Sequence, residues 1–423
     1  MKKVLIIGSL DLSVGSFRPV PLAKYLPEFG WEPVILTGPV SGNPVPQLRI
    51  VETPYRDSLA FWRKLFRFKP DESMTLGVKK RFGVTYEKSF VDLLSNLYRA
   101  IFCYPDQYRG WKPFAIKAAS ELLRNEHVDA MISCMPVTSY IAASKLKSKF
   151  KTPWIVDLTD LWSQNHNYSY GPLRKFLDTR LELKTLSRAD ALITMSEPWA
   201  EKLRALHKGK TVYVITHGFD PAEVNAPSAN LTAKFTITYT GTIYTGKQDP
   251  SKLFAALQSL TSGGIMPPDE IEVRFYGHEV PWLDKAIERY GLSNIVKQHG
   301  MVSKQTALER QRESQLLLLL DWDDPQEKGV YLGKTFEYLG TKRPILATGG
   351  SKDSVIAELL SETRAGLHAP GMEDVKEALK ELYQEYKLKG AVTYKGEEAK
   401  INKYSHREMA RKFAEILDKL IKA

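Results

Sequence analysis

A chain of 423 residues is too long for one ordinary hydrophobic core and long enough for two domains that each bury their own. With 43% hydrophobic and 26% charged residues it has the composition of a soluble protein, and no apolar run approaches the roughly 20 residues that a membrane-spanning helix needs. The net charge of +11 admits nucleic acid, an anionic membrane face or phosphorylated ligands as partners; no nucleic-acid-binding signature is present, which sets the first aside.

The chain opens on Met1-Lys2-Lys3 and an apolar run at 4–7, cut short by Gly8-Ser9 and Asp11, which reads as a first strand rather than a leader. Further strand-like runs follow at 34–36, 130–133, 154–156, 191–194 and 212–215, alternating with helical stretches, the first of these at 17–29. Such alternation predicts a parallel sheet with helices on both faces. A long insertion at 54–106 interrupts it, with Arg63, Lys64, Arg67 and Lys69 interleaved with Phe61, Trp62, Leu65, Phe66 and Phe68, and Arg56, Lys79, Lys80 and Arg81 nearby. That mixture suits a helix lying on an anionic membrane surface, or equally a solvated helix with one apolar face. Cys103 and Cys134 stand too far apart to form a disulfide framework or a metal cluster, which points to a reducing cytoplasm.

After His217-Gly218-Phe219-Asp220 the segment 221–233 is rich in Pro, Ala, Ser and Asn without periodicity, and reads as a linker. The alternation restarts with strands at 235–239, 271–276, 295–299, 316–320, 345–347 and 365–368. At 405–421, Met409, Phe413, Ile416, Leu417, Leu420 and Ile421 recur at helical spacing. The expected architecture is an α/β protein with two Rossmann-like domains, 1–220 and 234–402, facing across a cleft, and a closing helix at 403–423.

Candidate chemistry gathers where strands end. The turn from Gly8 to Ser16 includes Gly15 and exposes backbone N–H groups ahead of a helix, which suits an anion or a sugar hydroxyl. It is not G-x-G-x-x-G, which disfavours a dinucleotide. The run Asp157-Leu158-Thr159-Asp160-Leu161-Trp162 closes the strand at 154–156; Asp160, with Asp157, is the candidate catalytic or orienting carboxylate, although either Asp could cap the next turn. In the second half, Thr240-Gly241-Thr242 and Lys247 follow a strand and are expected to meet a diphosphate. On a helix beginning near Gly333, Lys334 and Glu337 share a face. Lys334 can neutralise a diphosphate at the helix N-terminus while Glu337 accepts both ribose hydroxyls of a nucleoside. A surface Lys-Glu pair is the plainer alternative.

Together these segments resemble the GT-B glycosyltransferases, specifically the group 1 or family 4 retaining enzymes of bacterial surface-polysaccharide assembly. The resemblance spans nearly the whole chain. It is carried by Gly15-Ser16-Phe17-Arg18-Pro19, Tyr104-Pro105-Asp106, Pro153 to Trp162, His217-Gly218-Phe219-Asp220, Tyr239 to Tyr244 and Gly333-Lys334-Thr335-Phe336-Glu337-Tyr338-Leu339. It implies transfer from a nucleoside diphosphate sugar, UDP- or GDP-linked, to a glycan or lipid-linked acceptor, with no cofactor and no metal. Lys247, Lys334 and helix N-termini would meet the leaving-group charge, and the loop Val330, Tyr331, Leu332 and Gly333 would face the donor sugar. Peripheral contact with an anionic membrane would suit such an acceptor. The sequence departs from the pattern at Val330, where the family's E-x7-E motif has its first Glu, and at Thr159, where an Arg is usual. A nucleotide-sugar 2-epimerase of the same architecture, or a non-catalytic nucleotide-sugar-binding component, are the alternatives.

Overall fold

The computed structural model describes residues 1–8, 18–40, 47–56, 103–168, 170–224 and 230–422. Most of the basic insertion, and Gly15 with its turn, lie outside the described residues. By compactness the chain divides into unit 1, residues 1–215 with 410–423, and unit 2, residues 216–409. The boundary therefore falls before the Pro- and Ala-rich segment read as a linker. Of that segment, Pro221–Val224 is a single helical turn. The last helix is divided between the two units.

Unit 1 is built on seven strands, β1 (Lys2–Ile7), β2 (Trp31–Thr37), β3 (Ile50–Glu52), β4 (Ala130–Ser133), β5 (Trp154–Leu158), β6 (Ala191–Thr194) and β7 (Val212–Val214). They pair in the order β3-β2-β1-β4-β5-β6-β7, and every pairing is parallel. β1 lies between β2 and β4, with Ile7 level with Leu36 on one side and Ser133 on the other. Val4, Leu5, Ile6 and Ile7 are all fully buried, as expected of a parallel strand covered on both faces. Helices α1 (Pro19–Tyr25), α2 (Lys112–Asn125), α3 (Val137–Phe150), α4 (Pro172–Leu186) and α5 (Glu197–Leu206) cover the sheet. The helix expected over 17–29 is α1 followed by a 3-10 turn at Leu26–Phe29, closed by Gly30 in the left-handed region (φ +81°). β3 went unread because its three residues, Ile-Val-Glu, are too few to show periodicity.

Unit 2 repeats the plan with β8 (Phe235–Thr240), β9 (Ile271–Tyr276), β10 (Val296–Gln298), β11 (Leu316–Leu320), β12 (Ile345–Thr348) and β13 (Gly366–Ala369), in the order β10-β9-β8-β11-β12-β13. Helices α6 (Ser251–Ser262), α7 (Pro281–Arg289), α8 (Lys304–Arg312), α9 (Gly333–Thr341), α10 (Val355–Thr363) and α11 (Met372–Lys389) alternate with the strands. β11 consists of five consecutive leucines, all fully buried. The strand order reverses direction between β8 and β11, so the carboxyl ends of these two strands form the switch point at which doubly wound sheets bind ligands.

The segment around Gly218 is pinned inside unit 2. Phe219 N donates to Tyr404 O (3.1 Å) and His406 N to Phe219 O (2.8 Å). A Cβ on Gly218 would stand 2.7 Å from Ser405 C, closer than a side chain allows. Helix α12 (His406–Lys422) follows, burying Met409, Phe413, Ile416 and Leu417. Its C-terminal part packs in unit 1, where Asp418 Oδ1 accepts from the Lys2 ammonium and from Trp31 Nε1 (3.0 Å).

The leucine strand sets one expectation for stability. Leu318→Ala should cost about 2–5 kcal/mol through lost burial and a cavity between sheet and helices, read by denaturant titration of the whole chain.

Candidate active site

In unit 2, backbone crowding at the end of β8 opens the site. Gly241 follows the strand with φ +108°, and its N–H donates to Tyr276 O (2.7 Å) at the end of β9. A Cβ on Gly241 would come within 3.2 Å of Lys334 Nζ, and one on Gly277 within 2.3 Å of the Gly241 carbonyl oxygen. Both positions need glycine on conformation and space together.

α9 begins at Gly333, whose own exposure leaves the helix N-terminus accessible. One residue in, the half-buried Lys334 bends back to β8: its ammonium donates to the Tyr239 hydroxyl and, at 3.4 Å, to the Thr242 carbonyl. Burial lowers its pKa to about 7, with the nearby Glu337 carboxylate opposing the shift. Glu337 accepts a hydrogen bond from Gln311 Nε2, and the same amide nitrogen lies 2.8 Å from Thr240 Oγ1. Gln311 is fully buried on α8, so α8 fixes the carboxylate on α9. Tyr338, next along α9, completes the junction by accepting from Thr240 N (2.9 Å).

The other expected contacts are distributed differently. Thr242 presents its carbonyl to Lys334 and to the Tyr239 hydroxyl (2.8 Å). Lys247 pairs with Asp324 Oδ2 at 2.8 Å, and Lys252 with Asp323 Oδ2 at 3.1 Å. Asp321 is buried, accepting from Ser354 Oγ (2.8 Å), with His368 Nε2 at 3.3 Å. The acidic run after β11 is thereby spent on lysines and on its own loop, and among the described residues no three His, Cys, Asp or Glu side chains are grouped as metal ligands. Val330 and Leu332 are buried and Tyr331 packs on Phe336 at 5.3 Å between ring centroids, which leaves Gly333 as the exposed member of the loop.

In unit 1, the two candidate carboxylates occupy different environments. Asp157 on β5 is fully buried, with Arg18 Nε 3.3 Å from Oδ2 and Cys134 Sγ at 3.8 Å. Burial raises its pKa and the guanidinium opposes the rise. Arg18 is itself buried, donates to Ile215 O (2.6 Å) and stands over the Phe413 ring at 5.7 Å. A carboxylate enclosed in this way anchors the end of β5 to Arg18 within unit 1. Asp160 is half-buried just past the strand, and no described group donates a hydrogen bond to it. Burial raises its pKa, with His166 lowering it, and His166 stacks on Trp199 at 5.4 Å. Asp106, in the Tyr104-Pro105-Asp106 run, serves the fold: its carboxylate accepts from Thr138 N and Oγ1, both at 2.7 Å, at the start of α3.

Two positions went unread from sequence. Gln311 stands in the polar run Glu309-Arg310-Gln311-Arg312-Glu313, where nothing distinguishes it from its solvated neighbours. Arg18 was legible only as part of a motif, its partner lying on a strand far along the chain.

Residues 87–223 match the family model described as Glycosyltransferase Family 4, most of the match lying within unit 1. The chain has the GT-B fold and carries a segment that matches this glycosyltransferase family. No curated protein sequence matches it. Among solved structures it is similar to sucrose-phosphate synthase from Thermosynechococcus elongatus, with a TM-score of 0.60 and 13% identity over 100% of both chains. It is similar also to S. aureus TarM, solved with alpha-GlcNAc-glycerol and UDP, with a TM-score of 0.60 and 11% identity over 99% of this chain and 100% of that one. A UDP-GlcNAc 2-epimerase from Methanocaldococcus jannaschii shares the fold more loosely, with a TM-score of 0.51 and 12% identity over 99% of each. At these identities the likenesses establish the GT-B fold alone.

The two carboxylates of unit 1 are separable by mutation. Asp157→Ala should cost about 3–5 kcal/mol of unfolding free energy, because it leaves the Arg18 charge buried without its partner. Asp160→Ala should change stability by less than about 1 kcal/mol. Thermal and denaturant unfolding of both variants reads the difference.

Proposed function

We propose that this glycosyltransferase works in the cytoplasm on a UDP- or GDP-linked sugar, transferring the sugar with retention to a hydroxyl of a lipid-linked or growing surface glycan. The observation that carries the donor assignment is the placing of Lys334 and Glu337 on one turn of α9, at the switch-point end of β8, beside a backbone kept clear by Gly241.

In this reading the diphosphate lies at the N-terminus of α9. Lys334 supplies its charge and Gly333 its open backbone N–H. Glu337, steadied by Gln311, accepts the two ribose hydroxyls. Lys247 joins the phosphate by exchanging its bond to Asp324 for the anion, and Thr242 contributes backbone. The bond from the anomeric carbon to the diphosphate oxygen breaks while the acceptor oxygen attacks on the same face, and the acceptor proton passes to the departing phosphate. The cations stabilise the leaving group without a metal. Asp160 is the acceptor-side carboxylate, since it combines accessibility with a raised pKa.

Calorimetry with a panel of nucleoside diphosphates, with and without chelator, tests the donor site. Glu337→Ala should weaken binding by about 2 kcal/mol or more as both ribose bonds are lost, while Lys334→Ala should penalise diphosphates more than the nucleoside. Unchanged affinity in the Glu337 variant removes the ribose role. Release of nucleoside diphosphate only when an acceptor is added separates transfer from epimerisation.

Lys334 also sets a pH dependence. In the empty site its ammonium loses its proton near pH 7, whereas a bound diphosphate favours the charged form. The complex then holds more protons than the free protein above pH 7, so binding takes up a proton and affinity falls as pH rises, by at most about tenfold per unit. Titrations at pH 8 in buffers of different ionisation enthalpy should show uptake of up to about one proton, lost in Lys334→Met.

A further inference from the structure

Helix α4 is turned inside out. Its buried side carries Arg174, Asp178, Glu182 and Thr185. Arg174 Nε meets Asp178 Oδ2 at 2.9 Å, Ser163 N donates to Glu182 Oε2 at 2.9 Å, and His207 Nε2 lies 3.1 Å from Glu182 Oε1. These polar contacts fix the helix on unit 1 and direct its apolar side outward. Leu173, Phe176, Leu177 and Leu183 are 75%, 55%, 44% and 38% exposed. They are four of the eleven exposed large hydrophobic residues among those described, gathered on a helix of 15 residues. Scattered surface leucines are ordinary; a ridge along one helix marks a surface that meets another phase or partner.

Charge identifies which. Both acidic residues of α4 are inside, and its remaining cations, Lys175, Arg180 and Lys184, are exposed, with Arg188 just beyond the helix. None of the four pairs with a carboxylate among the described residues. Arg180 lies over the Phe176 ring at 5.5 Å, and Arg188 donates to Ser144 Oγ (3.1 Å) on α3. α3 has no acidic residue of its own and contributes four more basic positions, Lys145, Lys147, Lys149 and Lys151 at its C-cap, of which Lys147 pairs with Asp190 Oδ2 at 2.7 Å. Apolar side chains interleaved with four cations that meet no carboxylate among the described residues, on a helix whose own two acids are buried, fit the headgroup region of an anionic bilayer, where the leucines enter the acyl boundary and the cations meet phosphate.

We propose that the exposed face of α4 is the surface by which the enzyme docks on an anionic membrane. The inference deepens the lipid-linked-acceptor reading above and rests on it. It places the docking surface on α4 rather than on the basic segment 63–69.

Sedimentation with vesicles of phosphatidylglycerol mixed with phosphatidylcholine, against pure phosphatidylcholine, tests this. The full chain should bind the anionic vesicles selectively, and added salt should weaken the binding. Arg180→Ser with Lys184→Ser should reduce partitioning roughly 25-fold, at about fivefold per cation near the surface. Phe176→Ser with Leu177→Ser should also release the protein, and circular dichroism should show both variants folded. Equal binding by wild type and variants overturns the proposal, as does equal binding to neutral vesicles. Loss confined to a variant carrying Arg63→Ser, Lys64→Ser and Arg67→Ser overturns it too. So does a self-association that the α4 substitutions abolish in the absence of vesicle binding. Nucleotide affinity is measured on the same samples: retained affinity without vesicle binding removes the membrane surface alone, and the converse removes the donor site alone.

Discussion

Parallel strands covered on both faces leave no room for polar side chains along their length. In this protein the run Val4 to Ile7 of β1 and the whole of β11 are apolar and buried, and the chemistry is displaced to where the strands stop. Gly241 and Lys334 come together because β8, β9 and α9 all end or begin on that rim. The same pressure places Asp157 and Asp160 at the end of β5. It also separates them: three residues decide between a carboxylate enclosed by Arg18 and one that solvent reaches.

Polar groups that do enter the interior are held by specific partners. Asp157 has Arg18, Glu182 has Ser163 and His207, and Asp321 has Ser354 and His368. Burying such groups unpaired would cost several kcal/mol each. Lys334 is the exception: its partners are a tyrosine hydroxyl and a carbonyl, which satisfy hydrogen bonds without cancelling charge. That incomplete neutralisation keeps the site receptive to an anion.

The alternation of apolar runs was legible because strand period and burial depend on local residue type. Eleven of the thirteen described strands sit on runs that the sequence displays as apolar, and β10 lies inside such a run. β3, at three residues, does not. The placing of Lys334 and Glu337 on one helical turn was equally legible, since helical spacing is local. What could not be read was tertiary: which end-of-strand acid would be enclosed, that Lys247 would lean on Asp324, and that Gln311 would cross from α8 to steady Glu337. Helix α4 is the sharpest case, for its polar stripe at 174, 178, 182 and 185 looks like the solvent side until the partners that bury it are known.

Unit 1 is assembled from two stretches of sequence separated by the whole of unit 2. Asp418 bonds to Trp31 and Lys2, and Phe413 lies under Arg18. During synthesis, the sheet of unit 1 emerges first yet lacks that helix until the last residues of α12 leave the ribosome. Until those residues are made, the apolar patch that Phe413 and Leu417 would cover in unit 1 stays exposed.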